Sequence, residues 1–259
     1  MIKILSCNIR TSRAEDGENG WAFRRELCRD VIRGRDGDVI GFQEMTPEQM
    51  SYLNAEFPEH DAYWILDRPT DGEPVNAVFY RREAFTLQSA GGYWLSEKPH
   101  VPGSRSWKSD CIRLANWVLL AEKRSGRRFR LINTHLDHVS QRARENQSAL
   151  IIEDAAAYDA SFAQILTGDM NAGRGNPAIQ AFKKAGWRDA LETVFGDREL
   201  GRTAHEFLGA EACEGAEGRI DWIFTRGEAR VMSAEIIRDS AGGRHPSDHY
   251  FLAAQIDLP

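Results

Sequence analysis

Short apolar or alternating runs punctuate the chain from end to end, and they constrain its fold more than any other feature. Nine occur, over residues 2–9, 38–43, 76–80, 114–122, 129–134, 164–167, 220–225, 231–237 and 251–256. Such runs, bounded by turn residues, read as β-strands. The first alternates with a period of two, which puts Ile2, Ile4, Ser6 and Asn8 on one face. Ser125-Gly126 falls between two of the longer runs, so residues 114–134 are expected to form a hairpin.

Helical patterns lie between some of the strands. Residues 21–33 place Phe23, Leu27 and Val31 at four-residue steps, with Gly34 as the residue that ends the helix. Thr46 followed by Pro47 reads as an N-cap with proline at N1, ahead of an apolar stripe of Met50, Leu53 and Phe57. Residues 140–157 form the longest helical stretch, opened by Ser140, and Asn176-Pro177 opens another that runs to about residue 185. Strand and helix do not alternate strictly. Two packed sheets with helices on their outer faces therefore fit better than a TIM barrel or a doubly wound sheet.

The 259 residues are 42% hydrophobic, ample for a continuous core, and no linker, composition shift or repeat divides them. One domain over residues 1–259 is the economical reading. A charged fraction of 28% with 10% aromatics excludes disordered and low-complexity classes. The net charge of −6 argues against wholesale wrapping of duplex DNA but leaves room for a localised phosphate contact. The opening MIKILSCNIR lacks the makeup of a signal peptide, and no run of about 18 uncharged apolar residues occurs, so the expectation is a cytoplasmic protein without membrane insertion. Cys7, Cys28, Cys111 and Cys213 are scattered without a CxxC pair and read as buried thiols in a reducing compartment.

Polar residues recur at the ends of the apolar strands, where a core has no use for them. Asn8 follows Ile2 to Cys7, Glu44 follows Val39 to Phe42 and His135 follows Leu131-Ile132; Asp169 and Asn171 follow Ile165-Leu166, Asp221 sits among isoleucines and a tryptophan, and Asp248-His249 precede Tyr250-Phe251. Taken singly, Asn8 reads equally as a turn cap, Asp169 to Gly173 as turn chemistry and Ser247-Asp248 as an N-cap. Asp221 is harder to dismiss, because a buried carboxylate must find a partner. Jointly, strand ends feeding one rim are where site residues collect.

Those residue types suit hydrolysis of a phosphoester. Glu44 and Asp248 offer hard oxygen donors for Mg²⁺ or Mn²⁺, whereas no Cys/His cluster is apparent that would favour zinc. A bound divalent ion would polarise the phosphoryl oxygen. Asp169 suits the orientation or deprotonation of water, and Asn8 and Asn171 suit hydrogen bonds to nonbridging oxygens. Asp221 suits the role of holding His249 in one tautomer and favouring its imidazolium.

The ordered set of Asn8, DVIGFQE, NAVFYRR, INTHLDH, ILTGDMNA, RIDWIF and SDHYF resembles the endonuclease/exonuclease/phosphatase superfamily, which includes deoxyribonuclease I, inositol polyphosphate 5-phosphatases and deadenylases. GGYWLSEKPHVPGSRSW and NTHLDH look like a bacterial subgroup near the deadenylase-like branch. The resemblance implies an α+β fold, a four-layer αββα sandwich of two packed mixed β-sheets flanked by helices. It implies Glu44 as the principal metal carboxylate with Asn8 and Asp248 nearby, Asp169 for the nucleophilic water, and Asn171 as the phosphate-binding amide. His249 paired with Asp221 matches the catalytic histidine, and His135 the second histidine near the phosphate. Glu73, displaced by an apparent one-residue insertion, is a candidate partner for His135.

Among the remaining polar residues, Arg113 is a candidate for a substrate phosphate. Trp107 reads as core or as a base-stacking platform, Arg142 and Arg144 as surface charges, and His138 and His205 as structural or exposed. The expected protein is a Mg²⁺- or Mn²⁺-dependent phosphoester hydrolase acting on single-stranded nucleic acid, a nucleotide or a small organic phosphate, with no obligate protein partner. The alternative is a non-catalytic phosphate-ligand-binding or scaffold protein that keeps the fold.

Overall fold

The computed structural model describes residues 1–212 and 218–258. Alternation in the first run produces β1 (Ile2–Asn8), followed by α1 (Trp21–Arg35), β2 (Val39–Gln43), α2 (Pro47–Glu56), β3 (His60–Tyr63) and β4 (Val78–Arg81). The chain continues through β5 (Phe85–Trp94), β6 (Leu114–Glu122), β7 (Arg128–His135), α3 (Gln141–Ala156), β8 (Gln164–Asp169), α4 (Pro177–Lys184), β9 (Arg188–Asp189) and α5 (Ala190–Phe195). It ends with β10 (Asp221–Arg226), β11 (Arg230–Ile237) and β12 (Phe251–Asp257). The strands form two six-stranded sheets, ordered β11-β12-β1-β2-β4-β3 and β5-β6-β7-β8-β10-β9.

Each sheet is mixed, with one parallel pair at its centre: β1 with β2 in the first, β7 with β8 in the second. Period-two alternation splits β1 between two cores. Ile2 and Ile4 pack between the sheets with Val118, Leu131 and Ile165, while Leu5 and Cys7 pack outward with Cys28 and Ile32 of α1 and Leu53 of α2. On the other side, Ile132, Leu166 and Phe224 meet Ile151 of α3 and Phe182 of α4. The result is the α+β four-layer αββα sandwich.

The parallel pairs set the position of everything that follows. Their carboxyl ends fall together, with Asn8 opposite Gln43 and His135 opposite Asp169. The antiparallel β10 brings Asp221 opposite Asp169, and β12 starts beside the end of β1. Just below these ends the sheets are joined by polar side chains. Gln43 Nε2 donates to Asn133 Oδ1 at 2.6 Å, Thr167 Oγ1 donates to the same oxygen at 3.0 Å, and Asn133 Nδ2 reaches Phe42 O at 2.7 Å. Gly41 makes room for this seam: a Cβ there would stand 2.4 Å from Thr167 Oγ1 and 2.7 Å from Asn133 Oδ1.

The nine expected strands and four expected helices are present, but β3, β5, β9 and α5 were not anticipated. β5 is an edge strand whose middle residues are largely exposed, so it carries no alternation to read. β9 has only two residues. The start of α2 is as expected, with Thr46 and Gln49 forming a reciprocal capping box. α1 instead runs past Gly34 and ends on Asp36 in the left-handed region. Its buried stripe is Trp21, Arg24, Cys28, Val31 and Ile32, while Phe23 is 62% exposed.

Two further expectations are corrected. Cys7 and Cys28 are buried free thiols, but Cys111 is exposed; Cys213 lies outside the described residues. Arg144 is buried against the Asp137 carbonyl, since α3 packs on the loop that follows β7. His205, by contrast, is structural, one of its two expected readings: it is fully buried, with Gly209 N donating to its Nδ1 at 3.1 Å.

Gly41→Ala should force the Thr167 and Asn133 side chains out of their shared hydrogen bonds and destabilise the protein by about 1–3 kcal/mol. Chemical denaturation of the variant checks this, and wild-type stability would show that the seam yields freely.

Candidate active site

All eight of the strand-end positions line or back a single cavity of about 1170 Å³. Glu44, His135, Asp169, Asn171, Asp248 and His249 face it, as does Arg113. Asn8 and Asp221 stand behind them, almost completely buried. The expected residues are therefore gathered at one rim.

Asn8 ends β1, and its amide bridges two carboxylates: Nδ2 donates to Glu44 Oε1 at 3.2 Å and to Asp169 Oδ2 at 3.0 Å. Its Oδ1 accepts from Arg10 N at 3.1 Å. Glu44, just past β2 with φ of 64°, takes a second hydrogen bond from Thr11 N at 3.0 Å. Asp169 Oδ1 accepts from Asn171 N at 2.8 Å, leaving Oδ2 3.3 Å from His135 Nε2 and 3.9 Å from His249 Nε2. His249 Nδ1 lies 2.8 Å from Asp221 Oδ2. Asp221 N in turn donates to Thr203 Oγ1 at 3.1 Å, which holds the start of β10 in place.

The Asn171 amide has both hydrogens engaged. One goes to Leu136 O at 3.0 Å, which fixes the amide's orientation, so the other points at His135 Nε2 at 2.9 Å. His135 Nε2 is therefore an acceptor here. Burial, reinforced by the Arg113 charge, holds this imidazole well below its ordinary pKa, so it is neutral.

His249 is in the opposite state. Burial works against its charge, but Asp221 and Asp248 beside it raise its pKa well above the ordinary value, making it an imidazolium that donates to Asp221. Burial, followed by the repulsion of Asp221, pushes Asp169 up to about 7. Asp248 is also raised, by burial and against the pull of His249, with Glu44 adding to the rise.

This crowding of carboxylates is the test of fit for a cation. Glu44, Asp169 and Asp248 share one wall, and the arginine against Asp248, Arg10 at 3.6 Å, also binds Asp16. Glu44 and Asp248 present oxygen donors alone, which fits a hard divalent ion. Donor atoms of Asp169, Asp221 and His249 also lie within 4.8 Å of one another. In that group the protonated ring has no lone pair for a metal, and it fits proton handling instead.

Other residues stand apart from their expected places. Glu73 pairs with Arg13, and His135 meets Asn171 and Asp169 instead. Trp107 is half-buried outside the cavity wall, its carbonyl accepting from Ser140 Oγ. Arg113 makes no ion pair among the described residues; its Nη2 lies 3.2 Å from His138 Nδ1. Sequence reasoning missed Arg10 and Arg24. Arg24, 1% exposed, donates to Asn19, Ile9, Arg10 and Pro246 carbonyls, so it ties the loop after β1 to the segment carrying Asp248. Arg24 is cationic on a helix face that otherwise reads as apolar, a signal visible only once that face is known to be buried.

A family model described as Endonuclease/Exonuclease/phosphatase matches residues 5–249. The solved endonuclease/exonuclease/phosphatase from Bacteroides vulgatus superposes with a TM-score of 0.90 at 27% identity, covering 100% of this chain and 99% of that one. A mannosyl-6-phosphatase from Bacteroides thetaiotaomicron superposes with a TM-score of 0.89, also at 27% identity, covering 100% of both chains. The Ccr4 3'-5'-exoribonuclease subunit of the CCR4-Not complex from Emericella nidulans is 25% identical over 166 residues, 56% of this chain and 24% of that protein. The chain spans about a quarter or less of the curated relatives it matches.

Asp221→Asn removes the nearest anion from His249 and should lower that imidazole's pKa by about 1–3 units. An NMR titration of the ring protons measures this directly. An unmoved titration would separate the two residues.

Proposed function

The chain belongs to the endonuclease/exonuclease/phosphatase family, and on that premise we propose that it is a divalent-metal-dependent phosphoester hydrolase whose preferred substrates are small phosphomonoesters of the phosphosugar class. The observation that carries the reading is the oxygen-only carboxylate wall of Glu44, Asp169 and Asp248 beside the buried His249–Asp221 pair.

Glu44 and Asp248 are the residues that would hold the cation, with Asn8 fixing Glu44 from behind. A divalent ion, Mg²⁺ or Mn²⁺, supplies polarisation of a phosphoryl oxygen and neutralises developing charge. Asp169 takes the proton of the attacking water. Its pKa of about 7 suits a base working near neutrality, and the Asn171 N–H holds one oxygen so that Oδ2 faces the cavity. The His249 imidazolium, fixed at Nδ1 by Asp221, directs Nε2–H to the same side as Asp169 Oδ2, where it donates to a phosphoryl oxygen. Asn171 reaches a substrate oxygen when that oxygen replaces His135 as its acceptor. Arg113, free of any carboxylate among the described residues, is the cation left for the substrate's outer oxygens.

Two features favour a phosphosugar over a polynucleotide. A mannosyl-6-phosphatase matches over the full length at 27% identity, whereas the exoribonuclease match covers about half of this chain. Phe207 is the one Phe, Tyr or Trp ring among the described residues lining the cavity, so these form no ladder for stacking bases. Buried free Cys7 and Cys28 support a reducing, cytoplasmic setting, and no helix among the described residues is long and apolar enough to cross a membrane.

Phosphate release from hexose 6-phosphates should require Mg²⁺ or Mn²⁺ and stop on EDTA addition. Faster Mg²⁺-dependent shortening of a single-stranded oligonucleotide would replace the phosphosugar reading with a nuclease. Turnover of neither, with phosphate bound tightly, would favour a non-catalytic role. Asp169→Asn should reduce kcat by about 10²–10⁴-fold while keeping the folded state, as circular dichroism of the variant checks. Glu44→Ala should raise the metal concentration for half-maximal activity by about tenfold or more, and an unaltered metal titration would remove Glu44 from the metal site.

A further inference from the structure

The mouth of the cavity carries a second group of side chains with metal-ligating atoms, of a different chemical kind. Donor atoms of Asp110, Cys111 and His138 all lie within 4.8 Å of one another, and all three residues line the cavity together with Arg113. Cys111 Sγ is 3.6 Å and His138 Nε2 3.7 Å from Asp110 Oδ2. Donors on one tetrahedral zinc, with bonds of about 2.0–2.3 Å, stand about 3.3–3.8 Å apart. The Sγ–Oδ2 separation already has that spacing, and the Nε2–Oδ2 separation is a few tenths of an ångström longer than the ~3.3 Å of a nitrogen–oxygen pair on zinc.

The backbone beneath is built to keep these residues together. Asp137, fully buried, accepts from Ser109 Oγ at 2.9 Å and from Asp110 N at 2.8 Å, which clamps the loop bearing Asp110 and Cys111 onto the segment bearing His138. Asp137 Oδ1 also takes Ser140 N at 2.6 Å, and Arg144 Nη1 holds the Asp137 carbonyl at 3.0 Å. The three side chains are at the surface, so the remaining adjustment between His138 and Cys111 is a side-chain rotation, which for His138 breaks its contact with Arg113.

We propose that Asp110, Cys111 and His138 form a zinc site at the entrance to the cavity, with its fourth position open to the cavity and with occupancy that slows turnover. Thiolate, imidazole and carboxylate are the donors zinc selects, in contrast to the oxygen-only wall formed by Glu44 and Asp248. Binding releases the Cys111 thiol proton to solvent. Arg113 Nη2 now donates to His138 Nδ1, so Nε2 carries the ring hydrogen. Coordination through Nε2 moves that hydrogen to Nδ1, where it faces the Arg113 N–H. Zinc and the Arg113–His138 contact therefore exclude each other, and Arg113 is driven from its present place in the wall.

Cobalt(II) is the probe, added to the full chain after chelator treatment. The wild type should develop a near-ultraviolet thiolate-to-cobalt charge-transfer band that saturates at one equivalent and is abolished by zinc. Cys111→Ser should lose the band, His138→Ala should lose or strongly weaken it, and Glu44→Ala should keep it. A wild type without the band, or a band that survives Cys111→Ser, overturns the site. In the activity arm, zinc added to Mg²⁺-supported turnover should inhibit the wild type at lower concentration than Cys111→Ser; equal inhibition overturns the control of turnover. The spectroscopic arm needs no turnover, so failure of the hydrolase reading leaves it intact.

Discussion

One hydrogen bond crosses from the first sheet to the second at the cavity floor, from Asn8 Nδ2 to Asp169 Oδ2, and the arrangement above it depends on that link. Bonds of this kind, to a charged group away from water, contribute about 1.5–3 kcal/mol, and an unmatched carboxylate in the same place costs more. The same amide also takes Glu44, so a single side chain sets the spacing of two acids from different strands. Its neutrality matters. A lysine here would compensate both carboxylates and leave nothing for an ion, and an aspartate would repel them. An amide orients the acids yet leaves their negative potential available to a divalent cation.

The same logic extends through the neighbouring backbone. Thr11 N and Asn171 N satisfy one oxygen each of Glu44 and Asp169, and Arg24 binds four carbonyls that shape the loops around Arg10 and Asp248. Carboxylates brought this close are stable only because main-chain donors and a buried guanidinium hold them there. The mixed topology is what makes such donors converge. Two central parallel pairs end at the same rim, and the antiparallel β10 and β12 begin there.

Strand positions and the gathering of site residues were legible because each strand is a short apolar run that stops at a polar residue. Asn8, Glu44, His135 and Asp169 stand out for that reason alone. β5 was not legible, since an exposed edge strand needs no alternation and its Gly91 sits under the Trp117 ring, where a Cβ would come within 2.6 Å. The Cys111–His138 group escaped for another reason. Its members come from a loop and from the residues just past β7, joined through the buried Asp137, and no local spacing announces such a pairing. Arg144 read as a surface charge because a helix's sequence does not reveal that its arginine will meet a buried carbonyl.

His135 and His249 sit within reach of the same Asp169 oxygen, yet one is neutral and the other charged. Both are deeply buried, so desolvation opposes charge on each and cannot be what separates them. The difference lies in the second nitrogen and the nearest fixed charge. His249 Nδ1 meets the Asp221 carboxylate, whereas His135 looks toward Arg113 and accepts a hydrogen from the Asn171 amide. Exchanging those two partners would exchange the two states. A neutral acceptor and a cationic donor then flank one carboxylate whose own pKa lies near 7, so a proton can be taken up on one side while charge is stabilised on the other. Titratable groups pushed apart by their surroundings, more than the identity of any single residue, are what suit this rim to hydrolytic chemistry.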